Sequence, residues 1–318
     1  MAIVFGKAPG KIILFGEHAV VYGQPAIAIP VTKVNTTARI IPILTGKTGQ
    51  VQIQAADIQL DTSLTNLAED HPLGTAVRLT FEAVAAMHIP PFTLQISSNI
   101  PISAGMGSSA AVSIAIIRAL SAFLGKPLPS AEISDLAYEV EKIHHGTPSG
   151  IDNNVITYGK PVYYLRGKPI EFIQISHPTQ WIIADTGEKT PTRETVLSVS
   201  ALFDSDPKYC EPIFDKIGHL TQNARHALKV GDIKTLGKLM NENQQLLDAL
   251  NVSSQQLDHL VDAARTAGAS GAKLSGGGRG GNVIALAPQD KLKSIEEALV
   301  KAGAQSTIST RLNVSEET

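Results

Sequence analysis

Only one of the 318 residues, Cys210, is a cysteine, so no internal disulfide and no thiolate metal cluster can form. A secreted, stapled fold and a structural zinc site are thereby excluded, and a reducing, cytoplasmic setting is expected. Charge of one sign is missing too: 27 Lys plus Arg stand against 29 Asp plus Glu, a net −2, and no five like charges follow one another. A nucleic acid or an acidic membrane surface needs a basic face, so neither is an expected partner and a small neutral or phosphorylated molecule is. No apolar run reaches the roughly 20 residues of a bilayer span. The most apolar helical stretch, Ala110 to Leu124, is interrupted by Ser113, Arg118 and Ser121. The N-terminus, with Gly6, Lys7, Pro9, Gly10 and Lys11, shows no export signal. Gly-x-x-x-x-Gly-Lys followed by Ser or Thr occurs nowhere, which disfavours ordinary P-loop enzymes.

What is present is apolar material, 43% of the chain, enough for one large or two medium cores. Alternation around Thr37 to Ile41 makes the first hundred residues strand-dominated. Helical spacing predicts helices over 74–88, with Ala76, Leu79, Val84 and Met87 on one side, over 110–124, and from Ser130 to a stop at Gly146. Strands are expected at 92–96, 162–165, 172–175, 181–184, 283–287 and 305–312, and helices through 206–250, 253–267 and 289–302. The pattern is α+β. It changes character near residue 180, which divides the chain into 1–180 and 181–318, and no repeat or low-complexity linker separates the halves.

Three stretches can carry chemistry. The first, Pro101-Ile102-Ser103-Ala104-Gly105-Met106-Gly107-Ser108-Ser109-Ala110-Ala111, is a small-residue loop that opens an apolar helix. First-turn amides lack intrahelical partners and the helix end is partially positive, so a polyphosphate fits there; the same residues also suit a Ser-capped turn. The second is Glu141 to Asn154. Glu141 falls on the apolar face with Ile133 and Ala137 and should therefore have a partner, which a cation, a basic side chain or a proton would supply. Asp152 lies in the turn-rich Thr147–Asn154 run, expected to be a loop, where it could equally cap its own turn. His144 and His145 are adjacent and point apart, a poor metal pair. The third stretch, Lys273 to Gly281, contains Gly276, Gly277, Gly278, Gly280 and Gly281. Its Gly-x-Gly-x-x-Gly spacing precedes a strand instead of following one, so it is not a dinucleotide fingerprint. Either a backbone surface against a ligand or a flexible hairpin fits it.

The order of these stretches after an N-terminal Lys7-Ala8-Pro9-Gly10-Lys11-Ile12-Ile13-Leu14-Phe15-Gly16-Glu17-His18-Ala19-Val20-Val21-Tyr22-Gly23 resembles the superfamily of galactokinases, homoserine kinases, mevalonate kinases and phosphomevalonate kinases. Gly-Glu-His followed by Ala19-Val20-Val21, and Pro148-Ser149-Gly150-Ile151-Asp152-Asn153, are similar to the mevalonate kinase branch, as is Asp185-Thr186-Gly187 through Thr192-Arg193-Glu194. Ile102-Ser103 and Met106 stand where Pro-Gly and Leu are usual, and Arg279 interrupts the third glycine run as a phosphate contact or a solvated tip.

The resemblance implies an N-terminal ribosomal-protein-S5-like domain, a C-terminal ferredoxin-like domain and an active site in the cleft between them. It implies ATP and Mg²⁺ as cofactors and transfer of the γ-phosphoryl group to the C5 hydroxyl of mevalonate. By motif position, Asp152 matches the catalytic aspartate and Lys11 its lysine, Glu141 with Ser108 or Ser109 the metal position, and 101–111 the nucleotide loop. Glu17, His18, Ser275 and Gly276, with Lys11 and Asp152, match the substrate end. Related acceptors, phosphomevalonate or a sugar, stay open, with Lys189 and Arg193 available for an added phosphate; so do a non-catalytic sensor and a homodimer.

Overall fold

The structure is a computed structural model and describes residues 2–101, 105–145, 148–188 and 190–314, with the backbone alone for residues 144 and 145. The expected roles of Ser103, Ala104, Lys189 and the stop at Gly146 lie outside the described residues. The chain forms two compact units, one of Met1–Lys11, Val34–Pro101 and Gly107–Gly159, the other of Ile12–Lys33, Ile102–Met106 and Lys160–Thr318. Both are mixed α and β, as expected.

The first unit draws on β1 (Val4–Phe15), β2 (Ala26–Pro42), β3 (Val51–Ala55), β4 (Leu60–Ser63), α1 (Pro72–Ala83), β5 (Phe92–Ser98), α2 (Ser108–Phe123), α3 (Ser130–His145) and α4 (Ile151–Tyr158). β1 and β2 begin or end in the other unit. β2 pairs antiparallel with β5, Thr36 opposite Ser98 and Pro42 opposite Phe92, and β5 pairs in parallel with β3, Val51 opposite Phe92. Strict alternation buries Val51, Ile53, Phe92, Leu94, Ala38 and Ile40 on one face. α2 packs on that sheet and on α1, α3 and α4, and is buried almost all round. Small residues make the closest contacts possible. Ala110, Ala111, Ala115 and Ala119 let backbones approach, and Gly6 of β1 lies so close to the Ala115 carbonyl and the Ala119 amide that a Cβ would overlap both.

Two expectations are corrected here. The helix predicted to reach residue 88 ends at Ala83, because Ala85 takes a left-handed φ of 47°. Met87, expected on its apolar face, is 99% exposed. The loop expected around Asp152 is helix α4, which buries Ile151, Val155 and Ile156 and starts at Gly150 in the left-handed conformation.

The second unit carries β6 (Val162–Tyr164), β7 (Glu171–Phe172), β8 (Thr179–Asp185), α5 (Thr192–Ser205), α6 (Pro207–Val230), α7 (Ile233–Ala249), α8 (Gln255–Thr266), β9 (Gly271–Ser275), β10 (Asn282–Ala287), α9 (Leu292–Lys301) and β11 (Ser306–Leu312). Its antiparallel sheet runs β11-β8-β10-β9, with Asn282 opposite both Asp185 and Ser275. α7, α8 and α9 pack on it, around Ile182, Ala184, Leu257, Leu260, Leu274, Val283 and Ile295. The expected helical span 206–250 is two helices, separated where Gly231 takes φ 74° and started by Asp206 and Asp232 capping the amides of Tyr209 and Thr235. The start of the third stretch, Lys273 to Ser275, belongs to strand β9 and not to the glycine loop. Every residue of β9 is buried, against α7 and α8. No helix among the described residues is long and apolar enough to cross a membrane.

Gly6→Ala tests the tight seat of β1 on α2. The added methyl meets backbone atoms that cannot rotate away, so urea unfolding should show a loss of about 1–3 kcal/mol; unchanged stability would mean the seat is loose.

Candidate active site

In the first unit the site is built on the N-terminus of α2. Gly107, its N-cap, takes φ 71°, and the amides following it in the first turn have no capping side chain among the described residues. A Cβ on Gly107 would lie 2.9 Å from Cγ of Lys11 and 2.8 Å from Cδ1 of Ile156. Glycine is therefore required twice here, for its backbone conformation and because the Lys11 stem crosses the helix end.

Lys11 Nζ meets Asp152 Oδ1 at 2.9 Å, their side chains 9% and 32% exposed. Asp152 sits in the first turn of α4, where the helix dipole favours a carboxylate. α3 holds this segment: Asn153 Nδ2 donates to Ser134 O at 3.0 Å and Ser134 Oγ at 2.8 Å, and the Tyr138 hydroxyl donates to Pro148 O. Glu141 is buried, as its helical position requires, and Ser109 Oγ donates to its Oε1 at 2.6 Å. This partner is a hydroxyl, which does not neutralise the charge as the expected cation, base or proton would, and of the two serines it is Ser109 that reaches the carboxylate. In the 101–111 loop Met106, Ala110 and Ala111 are buried, and Gly105 is exposed with φ 68°.

In the second unit Glu17 and His18 are both buried. The Glu17 carboxylate pairs with the ammonium of Lys273, which is fully buried, and accepts from Asn243 Nδ2 at 3.3 Å. Lys273 also donates to Leu274 O at 2.6 Å. Burial outweighs the attraction of Glu17 and holds the Lys273 ammonium below its usual ionisation range. His18 takes φ 59° and ψ −50°, and its Nε2 lies 2.9 Å from Gly277 O. A carbonyl can only accept, so Nε2 carries the hydrogen and Nδ1 the lone pair. Nδ1 has no partner among the described residues. Desolvation pulls this ring down to ionise at about 4. Ser275 Oγ donates to Ile13 O at 2.6 Å, and Gly276 has open space where a side chain would stand.

Arg279 is not a solvated tip but is anchored within its unit: Nε donates to Asn251 O and Nη2 to Ser198 Oγ. Sequence reasoning missed Lys273 and Asn243. A lysine between Ala272 and Leu274, in a strand covered on both faces, was the readable signal, because such a residue must carry its own counter-ion.

Residues 72–160 match the family model "GHMP kinases N terminal domain" and residues 224–305 match "GHMP kinases C terminal". A mevalonate kinase of Thermococcus gammatolerans is 38% identical over 94% of this chain and 93% of its own. The chain belongs to the GHMP kinase family, among the mevalonate kinases. Among solved structures, L. major mevalonate kinase in complex with R-mevalonate superposes with a TM-score of 0.83 at 31% identity, covering 100% of this chain and 97% of the other. The Methanococcus jannaschii mevalonate kinase does so with 0.83 at 30%, covering 99% of each. This GHMP kinase is an ATP-dependent small-molecule kinase, and its α+β class is the one expected.

Two measurements follow. Lys273→Met leaves the buried Glu17 carboxylate without its cation and should cost about 3–5 kcal/mol in urea unfolding, most of it regained when Glu17→Gln is added; a double variant no better than the single would dissolve the pair's importance. His18 is neutral in the folded kinase down to about pH 4, whereas the unfolded chain binds its proton near 6.5. Its contribution is therefore present above pH 6.5 and lost as the pH falls toward 4, by roughly 3 kcal/mol at most. His18→Gln should flatten the stability profile between those limits, and an unaltered slope would place the titration elsewhere.

Proposed function

We propose that this kinase transfers the γ-phosphoryl group of ATP to the C5 hydroxyl of mevalonate, giving 5-phosphomevalonate and ADP for isoprenoid synthesis. The observation that carries the reading is the Lys11–Asp152 pair set against the uncapped N-terminus of α2. Phosphoryl transfer asks for alignment and charge neutralisation, and these residues supply both. Asp152 accepts the proton of the attacking hydroxyl, and Lys11 stabilises the developing charge. The amides after Gly107 hold phosphate oxygens. His18 Nδ1, an acceptor without a partner among the described residues, receives a hydrogen bond from an acceptor hydroxyl.

The donor set of Glu141 and Ser109, a buried carboxylate in contact with a half-buried hydroxyl, fits Mg²⁺, which takes one or two carboxylates and leaves its other positions to phosphate and water. Among the described residues no three acidic, His or Cys side chains group into a metal site of their own. When bound, ATP and Mg²⁺ supply the phosphoryl group and neutralise its charge. The division at residue 180 is kept as a functional one: Lys11, the 101–111 loop, Glu141 and Asp152 precede it, and Ser275 and Gly276 follow it. Support comes from the relatives named mevalonate kinase and from the L. major mevalonate kinase, whose structure is a complex with R-mevalonate.

ADP release assayed with mevalonate, phosphomevalonate, galactose and homoserine should appear with mevalonate. Release with another acceptor alone, or with none, would overturn the reading. Asp152→Asn should lower kcat by about 10²–10⁴-fold with the fold intact, and near-normal turnover would remove Asp152 from the mechanism.

A further inference from the structure

We propose that Arg118, in the middle of α2, is a positioning residue that sets the register of Lys11 against Asp152. Its Nη1 donates to Lys7 O in β1 and its Nη2 to Thr157 O in α4, each at 2.5 Å. Lys7 precedes Lys11 by four residues of strand, about 13 Å, and Thr157 follows Asp152 by five residues of helix, about 7.5 Å. The β1–α4 seam therefore has a tether at each end, the Lys11–Asp152 ion pair at one and a planar guanidinium fork at the other.

Sliding β1 along α4 would stretch the arm to Lys7 O and, because the two donors lie in one rigid plane, the fork could not follow without straining the arm to Thr157 O. Thr157 lies in the last turn of α4, where carbonyls lack intrahelical partners and a cation is favoured. The fork springs from the helix whose N-terminus faces phosphate, so one side chain references the strand of Lys11 and the helix of Asp152 to α2. Gly6, one residue before the Lys7 carbonyl, seats β1 against Ala115, Arg118 and Ala119 and keeps the reach short. Desolvation by burial holds the guanidinium below its usual ionisation range, so its two carbonyl partners are what keep the charge compensated.

The role rests on the reading of Lys11 and Asp152 as transfer machinery, and the test separates the two. In the full chain, Arg118→Met should lower kcat about 10- to 100-fold, with KM for ATP and mevalonate nearly unchanged. Arg118→Lys, with one of the two arms restored, should recover part of it. In an Asp152→Asn background Arg118→Met should cost nothing more, because the register it protects no longer matters. Losses that multiply, a KM effect instead of a kcat effect, or no recovery by lysine would overturn the proposal. Independently of turnover, Lys11→Met and Asp152→Asn should be coupled in urea unfolding of the parent and uncoupled once Arg118 is Met, or Lys if the Met variant does not fold. Intact coupling in that variant overturns the positioning role. A parent that shows the coupling but does not phosphorylate mevalonate overturns the acceptor assignment alone.

Discussion

A helix that starts without a cap leaves amide donors facing outward, and much of the first unit is arranged around that one deficit. α2 begins at a left-handed glycine, and no described side chain reaches back to its first turn. Such an end is costly beside protein and favourable beside an anion. It also demands that α2 be held in place by something other than its terminus. Burial on nearly every side supplies the hold, and burial on every side demands alanines and a glycine in β1 where backbones touch. The apolar composition of α2 is therefore part of how the phosphate end is aimed, as much as a contribution to the core.

The second unit solves a different problem, that of keeping a strained turn in one conformation. His18 occupies a positive φ that a side chain with a Cβ rarely adopts, at a cost of order 1–3 kcal/mol. It persists because its neighbours leave it no alternative. Glu17 is bound to Lys273 and Asn243, while His18 is bound to the carbonyl of Gly277. Lys273 also holds Leu274, in the strand that feeds the glycine loop. Both ends of the His18–Gly277 bond thus descend from one buried ammonium. An ion pair in that position need not stabilise the fold relative to an apolar pair, since desolvating two charges consumes most of their attraction. What it adds is a single arrangement.

Much of this was legible in the sequence where local pattern and tertiary role agree. Glu141 could be placed on a buried helix face because Ile133 and Ala137 set the phase, and small residues before an apolar run marked where a helix starts, though not whether a serine caps it. Legibility failed where a long-range partner decides. α4 was hidden because Pro148, Ser149 and Gly150 read as a turn, and eight residues of helix have little propensity of their own; packing on α2 and α3 makes them helical. Lys273 was hidden because its counter-ion lies 256 residues away. Arg118 looked like an interruption of an apolar run. Its partners are main-chain carbonyls, which leave no mark in a sequence.

The glycines of 276–281 show how composition can mislead about mobility. Five glycines in six positions carry a high ordering entropy, which on its own argues for a flexible hairpin. Yet Gly278 lies against the carbonyl of Val252 and Gly280 against Glu188, where a Cβ would overlap backbone. The amide of Arg279 bonds Val252 O at 2.8 Å, that of Gly281 bonds Glu188 O at 2.9 Å, and the Thr190 hydroxyl bonds Arg279 O at 2.7 Å. Arg279, which breaks the glycine run at a left-handed φ of 56°, extends its guanidinium to Asn251 and Ser198 and adds a further anchor. Glycine is used here for close approach, and the entropy lost on ordering is offset by main-chain hydrogen bonds. A loop tied in this way can hold the Gly277 carbonyl steady enough to fix which nitrogen of His18 carries its proton, and that choice leaves the other nitrogen a lone pair for a hydroxyl.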